Sequence, residues 1–445
     1  MFKEQFLIHP AYRNLNHGSF GTYPRAIQTV HRQLQDEAEA RPDLFIRRTH
    51  PQRLDEARQA VASLLNAPVG ECVFVKNATT GINTVLHNLD FHPGDVVIYF
   101  NTVYGAVEKS LVAQFEKSPL QGHKITYEFP ITPDELLHRF HSAVHDLRKQ
   151  NLNPRLAVFD TIVSNPGFRF PFERLIVACR DLHVLSLVDG AHGIGHIQLD
   201  LTTLNPDFFT SNCHKWLFTP RSCAVLYVPV RHQHLIRTTV PTSWGFIPLP
   251  DSPATASSTI MRENEKNPKK SAFESLFEFV ATADDTPYLC VPAALQFRRD
   301  VCGGEERIYE YIETLANEGA DIVASVLGTE VLQEPGLKAG QRSEFRRCGM
   351  GNVRLPVRVV DPEDSDGKQA EGQVILSSQV LAIQHWFEDQ LLYRYQTFVP
   401  VFVHGGWLWV RLCAQIYLDR SDFEWVACVL KDLCKRMSSG PLSSL

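Results

Sequence analysis

The chain has 445 residues, of which 44% are hydrophobic and 21% charged, with a net charge of −6. That is enough apolar material for a large core split between two domains, and the mildly acidic balance offers no basic field for nucleic acid or an anionic membrane. Ten scattered cysteines show no two-residue spacing, so neither a zinc knuckle nor a disulfide framework is indicated and a reducing compartment fits.

The N-terminal stretch Met1–Pro10 lacks the apolar run of a signal peptide and no membrane-length apolar segment follows, so cytoplasmic placement without a membrane partner is expected. The closing Ser443-Ser444-Leu445 is similar to a peroxisomal address but lacks its middle basic residue.

Strand-like apolar runs at 72–76, 96–100, 156–159, 184–188 and 224–228 are separated by helix-length segments such as 133–149. Short apolar runs alternating with amphipathic stretches predict an α/β domain with a mostly parallel sheet and helical crossovers, whose ligands gather where strands end and helices begin.

After the first run, Asn77-Ala78-Thr79-Thr80-Gly81 places small residues, hydroxyls and backbone N–H groups at a helix start. That suits a phosphate, and equally an ordinary N-cap. Tyr104 closes the second unit, where its ring could stack on a flat cofactor or simply fill the core.

Asp189, in Asp189-Gly190-Ala191-His192, ends the most apolar strand. A carboxylate there needs a partner such as a protonated ring nitrogen, although an Asx turn also explains Asp before Gly. His214-Lys215 follows the apolar run at 208–210. A lysine in such a place either snorkels to water or has its pKa depressed, and a depressed amine can condense with an aldehyde and act as a base. Together, Lys215 and Asp189 supply what pyridoxal 5'-phosphate requires: an amine for its aldehyde and an acid for its ring nitrogen.

Residues 251–271, rich in Ser, Pro, Asn and Lys, read as an exposed insertion. Past about 290, helical segments at 304–326, 377–390 and 421–436 surround strand-like pieces at 353–359 and 407–411, predicting a smaller α+β domain interrupted by a polar loop at 361–368. Arg411, within its apolar strand, could grip a carboxylate through two N–H groups or serve in a structural ion pair.

In this order and spacing, the motifs together with Asn16-His17-Gly18-Ser19-Phe20-Gly21 resemble the class V aminotransferase family, in its isopenicillin N epimerase-like branch. The resemblance implies a fold-type I enzyme dependent on pyridoxal 5'-phosphate, with a seven-stranded type of sheet. It divides the chain into an N-terminal segment (1–30) lining the active site, a large domain (31–290) and a small domain (291–445). It also implies a homodimer with shared active sites and a small amino-acid substrate.

Carried across, Ala78 and Thr79 take the phosphate cup, Tyr104 stacks on the ring, and Asp189 pairs with its nitrogen. Ser164 and His192 lie near the phenolic oxygen, His214 contacts phosphate, Lys215 forms the Schiff base, and Thr282 reaches phosphate from the neighbouring subunit. Arg411 binds the substrate carboxylate, with His17 and Gly18 lining the substrate pocket. The chemistry implied is formation of a carbanion at Cα, followed by carbon-sulfur cleavage; the alternatives are ring closure in fungal secondary metabolism, or epimerisation. Cys348 precedes an apolar strand instead of sitting on a mobile loop, so persulfide transfer of the desulfurase kind is not expected.

Overall fold

A computed structural model describes residues 2–246, 270–338, 340–361 and 373–439. Apart from their edges, the insertion expected at 251–271 and the loop at 361–368 lie outside the described residues, as does the tail at 443–445.

Each apolar run forms a strand, and one further strand, β3, joins them: β1 (Cys72–Val75), β2 (Asp95–Phe100), β3 (Gln121–Ile125), β4 (Asn153–Asp160), β5 (Leu185–Asp189), β6 (Phe208–Ser211) and β7 (Ala224–Tyr227). They build one seven-stranded sheet in the order β1-β7-β6-β5-β4-β2-β3. Strands β6, β5, β4, β2 and β3 pair in parallel, whereas β7 runs antiparallel to both neighbours. Strand β3 (Gln-Gly-His-Lys-Ile) escaped the sequence reading because, as an edge strand, it is mostly exposed and lacks an apolar run.

Both faces of the sheet are covered, which explains why the central strands are apolar without alternation. Val97, Leu156, Val158, Leu187 and Phe208 face one core; Ile98, Ala157, Phe159, Val188 and Phe209 face the other. Continuing this alternation, Asp160 and Asp189 fall on the same face as Val158 and Leu187, the face that carries the helices at Ala78–Asn88 and Gly105–Phe115.

The C-terminal region holds a second sheet in the order β10-β11-β8-β9, from β8 (Met350–Val360), β9 (Gln373–Leu376), β10 (Val401–His404) and β11 (Trp407–Cys413). Helices Glu305–Leu327 and Arg420–Ser439 pack on it and on each other. The helix Val291–Asp300 packs instead on helices Arg25–Ala40 and His50–Leu64, on the large-sheet side of the changeover expected at 291. Among the described residues no helix is long and apolar enough to cross a membrane.

Candidate active site

Chemistry-bearing side chains gather at the carboxyl ends of β4, β5 and β6, where parallel strands hand over to helices. Strand β5 ends in Asp189, which is buried and accepts a hydrogen bond from the Ala191 N–H at 2.9 Å. Burial holds its pKa above the usual carboxylate range, opposed by that N–H and by the Lys215 charge.

Directly across the parallel register, Asp160 ends β4 beside Asp189. It too is buried, and its pKa lies well above normal, first through desolvation and then through the Asp189 charge. Nothing in the local sequence Phe159-Asp160-Thr161 marked this residue. Its significance comes from strand register alone.

Strand β6 leads through Asn212 into the short turn Cys213–Trp216 that carries Lys215. Part of the Lys215 side chain remains accessible, while desolvation by the surrounding protein lowers its pKa to about 8; Arg411 adds to the shift, and Asp189, Cys413 and Asp160 oppose it. Its Nζ lies 3.2 Å from His192 Nε2. His192 is itself buried, and desolvation followed by the charges of Lys215 and Arg411 keeps its pKa well below normal.

Arg411 lies on β11 with its side chain buried. Its Nη1 donates to the Ser164 carbonyl at 2.8 Å and to Ser164 Oγ at 3.3 Å. Its Nη2 donates to Asn16 Oδ1 at 2.6 Å and Ser19 Oγ at 2.8 Å, while Nε has no partner among the described residues. A buried guanidinium held only by neutral oxygens is short of the anion that such a charge calls for.

The turn His17–Phe20 carries His17 and Gly18. His17 is fully buried, with Nε2 2.7 Å from the Lys215 carbonyl and Nδ1 3.0 Å from Tyr417 Oη. A carbonyl only accepts, so the imidazole proton is on Nε2 and the Tyr417 hydroxyl donates to Nδ1. Both nitrogens are thereby engaged, and His17 braces the lysine segment. Gly18 is also buried, and a Cβ there would meet Met350 Cε at 3.0 Å and Cys413 Sγ at 3.2 Å. From this turn, Asn16 and Ser19 are the side chains that touch Arg411.

At the start of helix Ala78–Asn88, Asn77 Oδ1 caps the Thr80 N–H and Asn212 Oδ1 accepts the Ala78 N–H, each at 2.8 Å. Gly81 allows this helix to sit tightly on β6, since a Cβ would come within 2.4 Å of Thr210 Oγ1. Ala78 and Thr79 thus open a helix beside the Lys215 turn. His214 turns its Nδ1 to the Cys223 carbonyl at 2.9 Å, and burial lowers its pKa to about 4.

Two expected residues lie at the surface. Tyr104 caps the helix after β2 with half of its surface exposed. Thr282 is exposed and lines a cleft of about 420 Å3 between helix Arg25–Ala40 and the segment 279–286, none of whose lining residues belongs to the Lys215 cluster. A further cleft, about 630 Å3, also lies elsewhere, between Phe129, Trp409 and residues 329–337. Cys348 is buried, bonds the Met350 carbonyl and has its pKa pushed up to about 12 by desolvation, so it is no ready nucleophile. Among the described residues no cluster suited to a metal ion occurs.

The arrangement fits pyridoxal phosphate. A lysine with a lowered pKa can condense with the aldehyde, and two buried carboxyls with little cationic compensation suit a protonated pyridine nitrogen.

Comparison with known proteins points the same way. The aminotransferase class-V family model matches residues 26–243. The chain is 43% identical over 435 residues to the L-cysteine desulfhydrase-like protein lolT1 of Epichloe uncinata, covering 98% of this chain and 95% of that protein. It is 30% identical over 435 residues to hercynylcysteine sulfoxide lyase of Schizosaccharomyces pombe, with 97% of each covered. Among solved structures, the cystine C-S lyase C-DES in complex with its product cysteine persulfide superposes with a TM-score of 0.71 at 19% identity, over 95% of this chain and 97% of that one. That likeness shows a shared fold, the fold-type I architecture.

Proposed function

The chain belongs to the class V aminotransferase family of pyridoxal-phosphate enzymes, and from that premise we propose that it cleaves a carbon-sulfur bond in an amino-acid substrate. The observation that carries this reading is that Arg411, buried without a carboxylate among the described residues, acts together with the paired Asp160 and Asp189 on Lys215, an amine of lowered pKa. The names of the relatives, a desulfhydrase-like protein and a sulfoxide lyase, support sulfur as the atom released.

In this reading Lys215 holds the cofactor, Asp189 pairs with its ring nitrogen, and Ala78, Thr79 and His214 hold its phosphate. Tyr104 stacks on the ring, while Ser164 and His192 face its phenolic oxygen. Bound there, the cofactor supplies an electron sink for a carbanion at the substrate Cα.

The chain's own residues do the rest. Arg411 exchanges Asn16 and Ser19 for the two oxygens of the substrate carboxylate, which fixes the orientation of Cα. Lys215, once displaced, accepts the Cα proton as a free amine, a form that its lowered pKa makes more accessible than an ordinary lysine's. Tyr104, half exposed at the start of the helix after β2, donates a proton to the departing sulfur group. We further propose a homodimer that brings Thr282 of the partner subunit to the phosphate, and a cytoplasmic enzyme organised as a large and a small domain.

The test is to incubate the loaded full-length protein with cysteine conjugates and their sulfoxides, reading products by mass spectrometry. Pyruvate, ammonia and a sulfur fragment are expected, with water supplying the keto oxygen. A cyclic product would replace cleavage by ring closure, and solvent deuterium entering Cα with the side chain kept would replace it by epimerisation. Lys215→Ala should lower turnover by about a thousandfold or more; full turnover in that variant refutes the proposal.

A further inference from the structure

Lys215 is followed by Trp216, a fully buried side chain whose indole Nε1 lies 3.2 Å from His192 Nδ1. The indole nitrogen can only donate. His192 Nδ1 must therefore accept, and in a neutral imidazole the single ring proton is then on Nε2, the atom 3.2 Å from Lys215 Nζ. The environment keeps His192 neutral: it is buried, and the groups acting on it are the cations Lys215 and Arg411 together with His196 and His17.

The indole is not free to turn away. His196 stacks on it with ring centroids 3.6 Å apart and planes 16° apart, His17 packs edge-on at 5.2 Å, and Arg298 donates to the Trp216 carbonyl at 2.7 Å. His196 is locked in turn, receiving the Gly349 N–H on Nε2 at 2.6 Å and so donating from Nδ1 to the His192 carbonyl at 2.8 Å.

We propose that Trp216 is a positioning residue that sets the tautomer of His192, so that an N–H donor instead of a lone pair faces the nitrogen of Lys215 and whatever oxygen replaces it when the cofactor is bound. The role of that donor rests on the cofactor reading above; the tautomer does not. A donor aimed at this spot disfavours a proton on the lysine nitrogen and favours negative charge on a neighbouring oxygen. Other groups acting on Lys215, namely Asp189, Asp160, Arg411 and Cys413, are unchanged by the tautomer. Without the indole N–H, the His192 proton can move to Nδ1, leaving a lone pair that welcomes a proton on the lysine.

The test is a double-mutant cycle on the loaded full-length enzyme, reading the pH midpoint of its visible band. Trp216→Phe keeps the packing ring and deletes the donor, and should raise the midpoint by about one pH unit. His192→Gln presents an amide N–H that needs no indole to orient it, so adding Trp216→Phe to that background should move the midpoint by less than about 0.2 unit. An unmoved midpoint in the single variant, or an equal shift in both backgrounds, overturns the proposal, because packing loss alone would act alike in both. Should Trp216→Phe fail to fold, nitrogen NMR of the histidine-labelled wild type, loaded, or cofactor-free above the Lys215 pKa of about 8 where the amine is neutral, reads the tautomer directly. A proton on Nε2 of His192 supports the assignment and a proton on Nδ1 refutes it. A protein that never colours with pyridoxal phosphate would sink the cofactor reading and leave this measurement standing.

Discussion

Replacing Lys215 by Met removes a charge that the fold accommodates poorly, and the consequence is a stability difference that depends on pH. In the cofactor-free chain, burial lowers the Lys215 pKa from 10.5 to about 8. Between those values the unfolded chain binds more protons than the folded one, so wild-type stability rises with pH through this window, and below about pH 8 the folded chain carries the whole penalty. The shift corresponds to about 3 kcal/mol, and the accessible part of the lysine side chain reduces the expectation to about 2 kcal/mol. Lys215→Met, of similar length and uncharged, should accordingly exceed wild type by about 2 kcal/mol at pH 7, with the gap closing as pH passes 10. Urea unfolding of both cofactor-free proteins at pH 7, 8.5 and 10 measures it, using the midpoint and slope at each pH. A pH-independent difference, or a wild type that is the more stable protein at pH 7, refutes a depressed lysine.

Arg298 lies fully buried, paired through two contacts of 2.6 Å with Glu305 and donating to the Trp216 and Gly195 carbonyls at 2.7 and 2.9 Å. Arg298→Met strands a carboxylate and two carbonyls and should cost about 4 kcal/mol, read as a lowered urea midpoint; a loss under about 1 kcal/mol contradicts it. Gly21 has φ +63°, and a Cβ there would come within 2.0 Å of the His214 carbonyl oxygen. Gly21→Ala should therefore cost about 3 kcal/mol or more and displace the lysine turn, seen as a lower melting temperature and weaker cofactor retention. Arg411→Gln removes the charged grip on the substrate and should raise KM about a hundredfold with the cofactor still bound, while an unchanged KM would place the carboxylate elsewhere.

Lys215 and Asp189 were legible in the sequence because each follows an apolar strand at the point where the chain turns. A charged residue in that position announces itself against its background, and so does the fold class, which repeats strand and crossover across the first half of the chain. Asp160 closes its strand just as Asp189 does, yet no small-residue turn follows it, and its neighbour is fixed by parallel register across β4 and β5. Strand order is not written locally. His17 shows the opposite difficulty: its motif was visible, but its bracing of the lysine segment shows only once both ring nitrogens are seen to be occupied. The Trp216 to His192 contact was hidden because Trp reads as core filling, which it also is.

The turn from Asn16 to Gly21 explains how Arg411 and Lys215, from different sheets, are held in one frame. Ser19 Oγ donates to Asn16 Oδ1 at 2.8 Å, so the two acceptors offered to Arg411 Nη2 form a single unit three residues apart on one turn. His17, between them in sequence, points instead to the Lys215 carbonyl, and the Cys413 N–H fixes the base of the segment on the Leu15 carbonyl at 2.9 Å. With these neutral oxygens in place, the guanidinium is oriented before any substrate arrives, and much of the side-chain entropy of binding has already been lost. A carboxylate then replaces neutral acceptors by charged ones of roughly twice the strength, so the exchange runs toward substrate without the guanidinium ever standing bare in the core. Anchoring both residues to one short turn also means that the carboxylate's position is defined relative to the amine that must reach Cα, a constraint that separate anchors on two sheets would not provide.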